Sequence, residues 1–459
     1  MNIVASELDE IHLLAGLLEA YFGSLFFYKS SSELGATQYL FASLADVRTY
    51  VRTSASANGS MASQVADWME SIRAEGEQDS TNAPEEVQHT WGRGDVVFGL
   101  SYELGALVLA DFYGETLDGG HILCAEPEGQ AELLAFAGRI DEVVVYDVQS
   151  RKYYVSASSP TRQNDIETAL ARARAQANAC SFKLIDDPGA ELTWGIEFDA
   201  DAYRQKFDAA EDEFSSGEVY QAVISIDAYA TPRETISNYF ASAARRYTDA
   251  IHHYWVSFDG LRMFGFCSLP HIYLERGEIS TRIFAGTKAI GEEELEVTTA
   301  SFRGDARFYA EHVMLVDVER NDFASVCQLG TVDVSRFMYA INVGPTRYLA
   351  SDITGRLRPN VRWSDAVLAN LPRAVVLGAP KSSAVNVVTR LEGRPRGFYG
   401  GVTGIVSASG HRVVSNTNVT YAVRTESDQV LLQCAGGVTA ASSSQQELAE
   451  LEMKLRYLR

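Results

Sequence analysis

Strand-like apolar patterning follows Asp95 in Val-Val-Phe-Gly-Leu-Ser-Tyr and returns at Val143–Tyr146 and Lys152–Ser156. Apolar residues at the three-and-four spacing of an amphipathic helix mark Ile166–Ala177, Asp199–Ser215, Phe308–Val318 and Gln445–Arg459. From Ser54 to Asp95 large apolar residues are scarce and turn formers frequent, which predicts a short surface helix around Val65–Ile72 between loops. Ser156–Asn164, with Ser-Ser-Pro-Thr at its centre, predicts a connection. No repeat of solenoid period is present. Mixed strands and helices with frequent glycines predict a large α+β fold with a core of sheet.

Composition narrows the class. The 459 residues are 46% apolar and 22% charged, which is globular usage and excludes disordered, collagenous and coiled-coil chains. That length predicts two or three domains, or one large layered one. Lys and Arg total 39 against 61 for Asp and Glu, a formal net charge of -22. Such a surface repels phosphate backbones and anionic lipid, so neither nucleic acid nor a membrane is an expected partner. The acidic N-terminus lacks the basic flank of an export signal, and Glu19 interrupts the apolar stretch Leu13–Phe27, which is too short to span a bilayer. Five scattered cysteines without CxxC spacing argue against a disulfide framework or structural zinc. A cytoplasmic protein is expected.

The candidate chemistry lies in the second half. Ser444-Gln-Gln-Glu447 reads as a capping box opening the last helix, with Leu448, Leu451, Leu455 and Leu458 as its buried stripe. Glu447, Glu450 and Lys454 share another face. They read either as a solvated face with a Glu–Lys pair or as carboxylates for a hard cation beside a lysine for an anion. Glu311 sits amid apolar residues, which calls for a partner or a metal, while Asp317, Arg320 and Asn321 suit a polar helix end. Ala285-Gly286-Thr287-Lys288, Tyr399-Gly400-Gly401, Gly378-Ala-Pro-Lys381 and Ala435-Gly436-Gly437 are turns whose glycines let backbone N–H groups approach an anion. Arg424 needs a carboxylate partner if buried.

The order of these motifs resembles that of the chorismate-utilising enzymes, and most closely anthranilate synthase component I. The carrying segments are Gly217–Ser225, Phe284–Lys288, Glu311–Asp322, Thr354–Pro359, Gly378–Lys381, Pro395–Gly401, Ala422–Thr425 and the glutamate helix. The N-terminal half matches weakly, through Tyr39–Ser43 and Val97–Tyr102. The division expected is an N-terminal α+β part over 1–200 and a chorismate-binding part over 201–459. The resemblance implies a large sandwich of two antiparallel β-sheets with helices packed outside and the active site between the sheets. It also implies a magnesium ion held over the substrate's ring carboxylate, with Glu311 and Glu450 matching the glutamates that touch it and Glu447 an outer one. Gly286, Thr287, Tyr399, Arg424, Gly437 and Lys454 match substrate-binding positions.

Four departures bear on the reaction. Leu269-Pro270-His271 replaces the family's Ser-Pro-Glu, whose glutamate is the general acid for the leaving hydroxyl; His271 is the candidate substitute. Tyr348 replaces a histidine tied to pyruvate elimination. Phe308 replaces an outer glutamate, and Ala435-Gly-Gly-Val-Thr439 replaces Gly-Ala-Gly-Ile-Val. Gln221 stands where water-using isochorismate and salicylate synthases carry a lysine base, and Ala285 where aminodeoxychorismate synthases carry a lysine nucleophile. The resemblance therefore implies a synthase of specialised, antibiotic-type metabolism that adds ammonia at C2 of chorismate or a close analogue. Its product would be of aminodeoxyisochorismate or anthranilate type. The ammonia would come from a separate glutamine amidotransferase or from free ammonium. A non-catalytic binding subunit is the alternative, and a water-using synthase a further one that Gln221 disfavours. The family's regulatory Leu-Leu-Glu-Ser motif is not found; Phe27-Tyr28-Lys29-Ser30 is the nearest stretch, which argues against feedback by tryptophan.

Overall fold

The computed structural model describes residues 5–31, 37–51, 60–76, 91–113, 133–179, 196–230, 235–248, 250–267, 269–343, 346–419, 422–423 and 430–456. Its first strands are β1 (Leu25–Ser31), β2 (Thr37–Val51), β3 (Val96–Leu100), β4 (Leu133–Asp147), β5 (Lys152–Ser156), β6 (Ile196–Phe198), β7 (Gln221–Ala230), β8 (His252–Phe258) and β9 (Leu261–Cys267). There follow β10 (Pro270–Glu275), β11 (Glu278–Ala289), β12 (Asp333–Val343), β13 (Thr346–Arg356), β14 (Gly378–Ala379), β15 (Val402–Val406), β16 (Arg412–Thr417), β17 (Ala422–Val423) and β18 (Val430–Thr439). The helices are α1 (Ala5–Phe22), α2 (Met61–Gly76), α3 (Tyr102–Tyr113), α4 (Pro160–Ala179), α5 (Ala200–Ser216), α6 (Ile236–Arg246), α7 (Leu295–Gly304), α8 (Ala306–Ala324), α9 (Trp363–Ala369), α10 (Ala374–Leu377), α11 (Lys381–Glu392) and α12 (Ser444–Arg456).

Strand pairing among the described residues is antiparallel throughout and builds two walls. One runs β6-β7-β18-β17-β9-β8-β1-β2-β4-β5, the other β4-β3-β15-β16-β10-β11-β13-β12. The long β4 joins them, because Ala135–Arg139 pair with β3 and Val143–Asp147 with β5. Side-chain alternation separates the layers. Phe26, Tyr28, Leu40, Ala42, Val143 and Val145 meet Val97 and Ile405 in an inner core, whereas Leu25, Phe27, Tyr39, Phe41, Val144 and Tyr146 pack under α1, α4 and α6. On the other wall α2, α3, α8 and α9 cover β3, β10, β11 and β15. The expected sandwich of two antiparallel sheets with helices outside is the architecture found. β1 pairs with β8 and β3 with β15, so strands from before and after position 200 are hydrogen-bonded to one another.

Local differences from the sequence reading have local causes. The apolar stretch Leu13–Phe27 divides: α1 ends at Phe22, and Gly23, at φ 75, turns the chain into β1. Glu19 is satisfied inside that stretch by Ser257 Oγ at 2.7 Å and Arg262 Nη2 at 2.5 Å. The connection expected at Ser156–Asn164 shrinks to three residues, because Pro160 opens α4 with a φ already suited to a helix. The helix expected around Val65–Ile72 extends over the whole of α2. The cap of α12 is Ser443, not Ser444: Ser443 Oγ accepts from the Gln446 N–H at 3.3 Å. Leu458 lies outside the described residues.

A buried arginine locks these layers together. Arg396 donates to Glu392 through Nε and Nη2 (2.8 and 2.6 Å), to Val376 O through Nη1 (2.7 Å) and to Val223 O through Nη2 (2.6 Å). Its backbone N–H donates to Glu103 of α3 at 2.6 Å, and its guanidinium lies over the Tyr102 ring. Removing one member of such a network strands the other charge in the interior. Arg396→Met is therefore expected to destabilise the protein by about 3–5 kcal/mol, read as a lower urea midpoint. A loss below about 1 kcal/mol, the scale of an exposed pair, would show that the network is dispensable.

Candidate active site

Two helices and four strands bring the candidate residues to one cavity of about 240 Å³. α8 starts at Asp305, whose carboxylate accepts from the Arg307 and Phe308 N–H groups, and this register points Glu311 into the cavity. α12 contributes Glu450 and Lys454. β7 and β18 run side by side, with Val223 opposite Gly437 and Gln221 opposite Thr439. β11 adds Gly286 and Thr287, and β13 places Tyr348 opposite Thr287. The β11–β13 register slips between Phe284 and Thr287, where Gly286 adopts φ 93. A side chain there would also press on Phe308, 3.0 Å from the would-be Cβ.

Each of the three glutamates has a different partner. Glu450 accepts from Lys454 Nζ at 2.8 Å, and that ammonium holds its carboxyl below the usual range against the opposing effect of burial. Lys454 also donates to Ala435 O at 2.8 Å; burial is the largest single influence and opposes its charge, but Glu450 and Tyr348 together with their neighbours raise it on balance and keep it protonated. Glu447 accepts from Arg307 Nη2 at 3.0 Å, and burial raises its carboxyl. Glu447 is not among the residues that line the cavity. Glu311 accepts from a neutral donor, Gln221 Nε2, at 2.6 Å. Burial pushes its carboxyl up to about 7; Arg307 and the Gln221 bond oppose the rise, while Glu447 and Glu450 add to it. Gly437 makes the Gln221 bond sterically possible, since a Cβ there would fall 2.6 Å from Gln221 Nε2.

The aromatic wall holds Tyr399 and Tyr348, the latter stacked on Phe284 at 5.2 Å and 27°. Burial raises both phenols, so both stay neutral. His271 is elsewhere. It is fully buried, pairs through Nδ1 with Ser415 Oγ at 3.0 Å and through Nε2 with Asn370 O at 3.3 Å, and does not line the cavity. Burial, with Arg373 nearby, pushes its imidazole down to about 3. A group held neutral and turned away does not serve as general acid, so the substitution expected of His271 is corrected: Leu269 faces the cavity instead. Arg424 lies outside the described residues. Sequence reasoning passed over Arg307, although its place four residues before Glu311 on one helix was a usable signal.

Among the described residues no three His, Cys, Asp or Glu side chains converge closely enough to hold a metal by themselves. A model of the chorismate binding enzyme family matches residues 32–459. The chain belongs to that family. Among curated members, it is 30% identical over 333 residues to anthranilate synthase component 1 of Aquifex aeolicus and 29% identical over 314 residues to that of Spirochaeta aurantia. These alignments cover 69% and 66% of this chain and 66% and 64% of the relatives, so the match spans just under two thirds of their length. The fold is that of anthranilate synthase component I from Streptococcus pneumoniae (TM-score 0.67, 20% identity, 94% of this chain and 90% of that one). It is also that of the menaquinone-specific isochorismate synthase from Escherichia coli (TM-score 0.63, 15% identity, 95% and 89%).

The Glu311 carboxyl gives a test of this geometry without any ligand. Its folded value of about 7 lies above the ordinary 4.5, so the folded state holds an extra proton between those pH values. The stability this contributes is complete below about 4.5 and lost as pH rises to about 7. Glu311→Gln stays neutral throughout. In chelated buffer the melting temperature of the variant, relative to wild type, should rise between pH 5 and about 7. A flat difference across that range would remove the buried, neutral-partnered carboxyl.

Proposed function

We propose that this family member is a magnesium-dependent synthase that adds ammonia at C2 of chorismate or a close analogue. The single observation that carries the reading is Gln221: a residue with no ionisable group occupies the wall beside Glu311. Water needs a base before it attacks, whereas ammonia is already a competent nucleophile. The only lysine among the described lining residues, Lys454, is committed to Glu450 and Ala435 O. The new C–N bond forms at ring carbon 2 as the C4–O bond breaks and the ring double bonds shift. The proton shed by nitrogen balances the one the departing hydroxide takes up. Ammonia would be supplied by a separate glutamine amidotransferase, or as free ammonium.

The residues present fit a magnesium ion. Glu311 is a carboxylate raised by burial and by its acidic neighbours and paired only with an amide, and Glu450 lines the same cavity. Magnesium characteristically takes one or two protein carboxylates and completes its shell with water and substrate oxygens. When bound it would supply Lewis-acid polarisation of the ring carboxylate. The chain's own work is orientation: Gln221 fixes Glu311, Lys454 fixes Glu450, and Gly286 and Gly437 open room for the ring. Tyr348, which by the resemblance replaces a histidine tied to pyruvate elimination, is stacked on Phe284 as a neutral phenol, and this supports a product that retains its enolpyruvyl group. A second reading, a non-catalytic binding subunit, is favoured by one observation, the burial of His271 away from the cavity.

Mass spectrometry of purified protein with chorismate and magnesium, with and without ammonium, separates these readings. An ammonium-dependent product retaining the enolpyruvyl mass is expected. Tyr348→His should raise the share of anthranilate, and Glu450→Gln should cut turnover by about 10–100-fold. Chorismate unchanged under every condition would favour the binding subunit. His271→Ala should keep most turnover while costing about 1–3 kcal/mol of stability, because Ser415 and Asn370 lose a buried partner. Abolished turnover in a folded His271→Ala protein would restore histidine to the chemistry.

A further inference from the structure

The cavity has two chemically distinct sectors. Glu311, Glu450, Lys454 and Gln221 form the polar one. The other includes Tyr247, Phe266, Leu269 and Val419, which belong to neighbouring segments of the wall. Tyr247 stacks nearly parallel on Phe266, 5.3 Å apart at 6°. The Leu269 N–H donates to Cys267 Sγ at 3.1 Å, and Leu269 O accepts from the Thr417 N–H at 3.1 Å, which fixes the segment leading to Val419. Tyr247 O accepts from His253 Nε2 at 2.9 Å, so the stack is anchored from behind. His271, two residues beyond Leu269, has turned inward with both ring nitrogens engaged. None of these four lining residues carries a charge.

Resting on the reading that this cavity is the substrate site, we propose that the Tyr247–Phe266–Leu269–Val419 sector is a subsite for an uncharged apolar substituent on a ligand whose ring carboxylate lies at the polar sector. The ligand class is a carboxylated six-membered ring bearing a short hydrocarbon group. A second carboxylate in this sector gives up its water without meeting an opposite charge, and the Tyr247 phenol is the one hydrogen-bonding side chain among the four, whereas each methylene buried there is favourable.

Substituted benzoates test the subsite directly, by calorimetry in the presence of magnesium with benzoate, its 3- and 4-hydroxy derivatives and its 3- and 4-ethyl derivatives. Two buried carbons correspond to about ten-fold in affinity, so the better ethyl isomer should bind about ten-fold tighter than benzoate. Neither hydroxy isomer should bind as tightly as the better ethyl isomer. Leu269→Asn, and separately Val419→Asn, should erase the ethyl advantage while leaving benzoate within about two-fold of wild type. An ethyl advantage that survives both substitutions would overturn the subsite. Benzoate binding with no ethyl advantage would also overturn it and leave the proposed function standing. Failure of benzoate itself to bind would overturn the carboxylate end, and with it both readings.

Discussion

The interior placement of the Arg396 guanidinium constrains much of the rest. A full positive charge excluded from water is tolerable only when its donors are filled and its charge is matched. Here Glu392 supplies the charge, and the carbonyls of Val223 and Val376 take further donors. Both of those residues line the cavity. The same arginine therefore sets where β7 and α10 stand relative to each other, and so the separation of two cavity walls. Glu103 of α3 accepts from the backbone N–H of Arg396, which draws the N-terminal half into the same network. Tyr399 follows three residues later on a segment so anchored.

Within that frame the three glutamates are differentiated by partner and not by type. Glu450 has a lysine, Glu447 an arginine, and Glu311 an amide. Two of the three negative charges are matched inside the protein, and the third is matched only in part. Glu311 is accordingly the one of the three whose hydrogen-bond partner is neutral, and burial pushes its carboxyl up to about 7. Phe308 belongs to the same balance. In place of a further glutamate it joins Phe302, Met338 and Leu349 in a small apolar cluster, its ring edge-on to Phe302 at 5.1 Å. Phe308 adds no charge beside Glu311, and its ring lies close to Gly286 of β11, 3.0 Å from where a Cβ would stand.

How much of this could be read from the sequence depended on whether the signal was local. The shared face of Glu447, Glu450 and Lys454 follows from helical spacing alone, but the glycines at 286 and 437, read as turns, lie inside strands β11 and β18, because strand pairing across the sheet overrides the local turn signal. The alternation in β1 and β2 was present as residue types, yet both faces are apolar, so periodicity did not reveal that one faces the inner core and the other the helices. The Gln221–Glu311 bond joins residues 90 apart in sequence, and only the fold brings them together. His271 was misjudged because a histidine beside a motif carries no mark of which way it points. Its neighbours in space, Ser415 and Asn370, lie about a hundred residues or more away.

Three of the positions that set this chain apart from the resemblance hold uncharged side chains at the cavity or its border. Leu269 presents hydrocarbon to the cavity while His271 is buried away from it, Tyr348 offers a neutral phenol in an aromatic stack, and Phe308 packs its ring against Phe302. None of the three lining or bordering side chains, Leu269, Tyr348 or Phe308, carries a charge. Glu311, Glu450 and Lys454, the groups suited to a cation and a ring carboxylate, stay in place. Loss of function without selection has no reason to spare costly buried charges while replacing their neighbours by side chains that pack well. The proposed function rests on that contrast: costly buried charges are held in the cavity by specific partners while uncharged, well-packed side chains form its border.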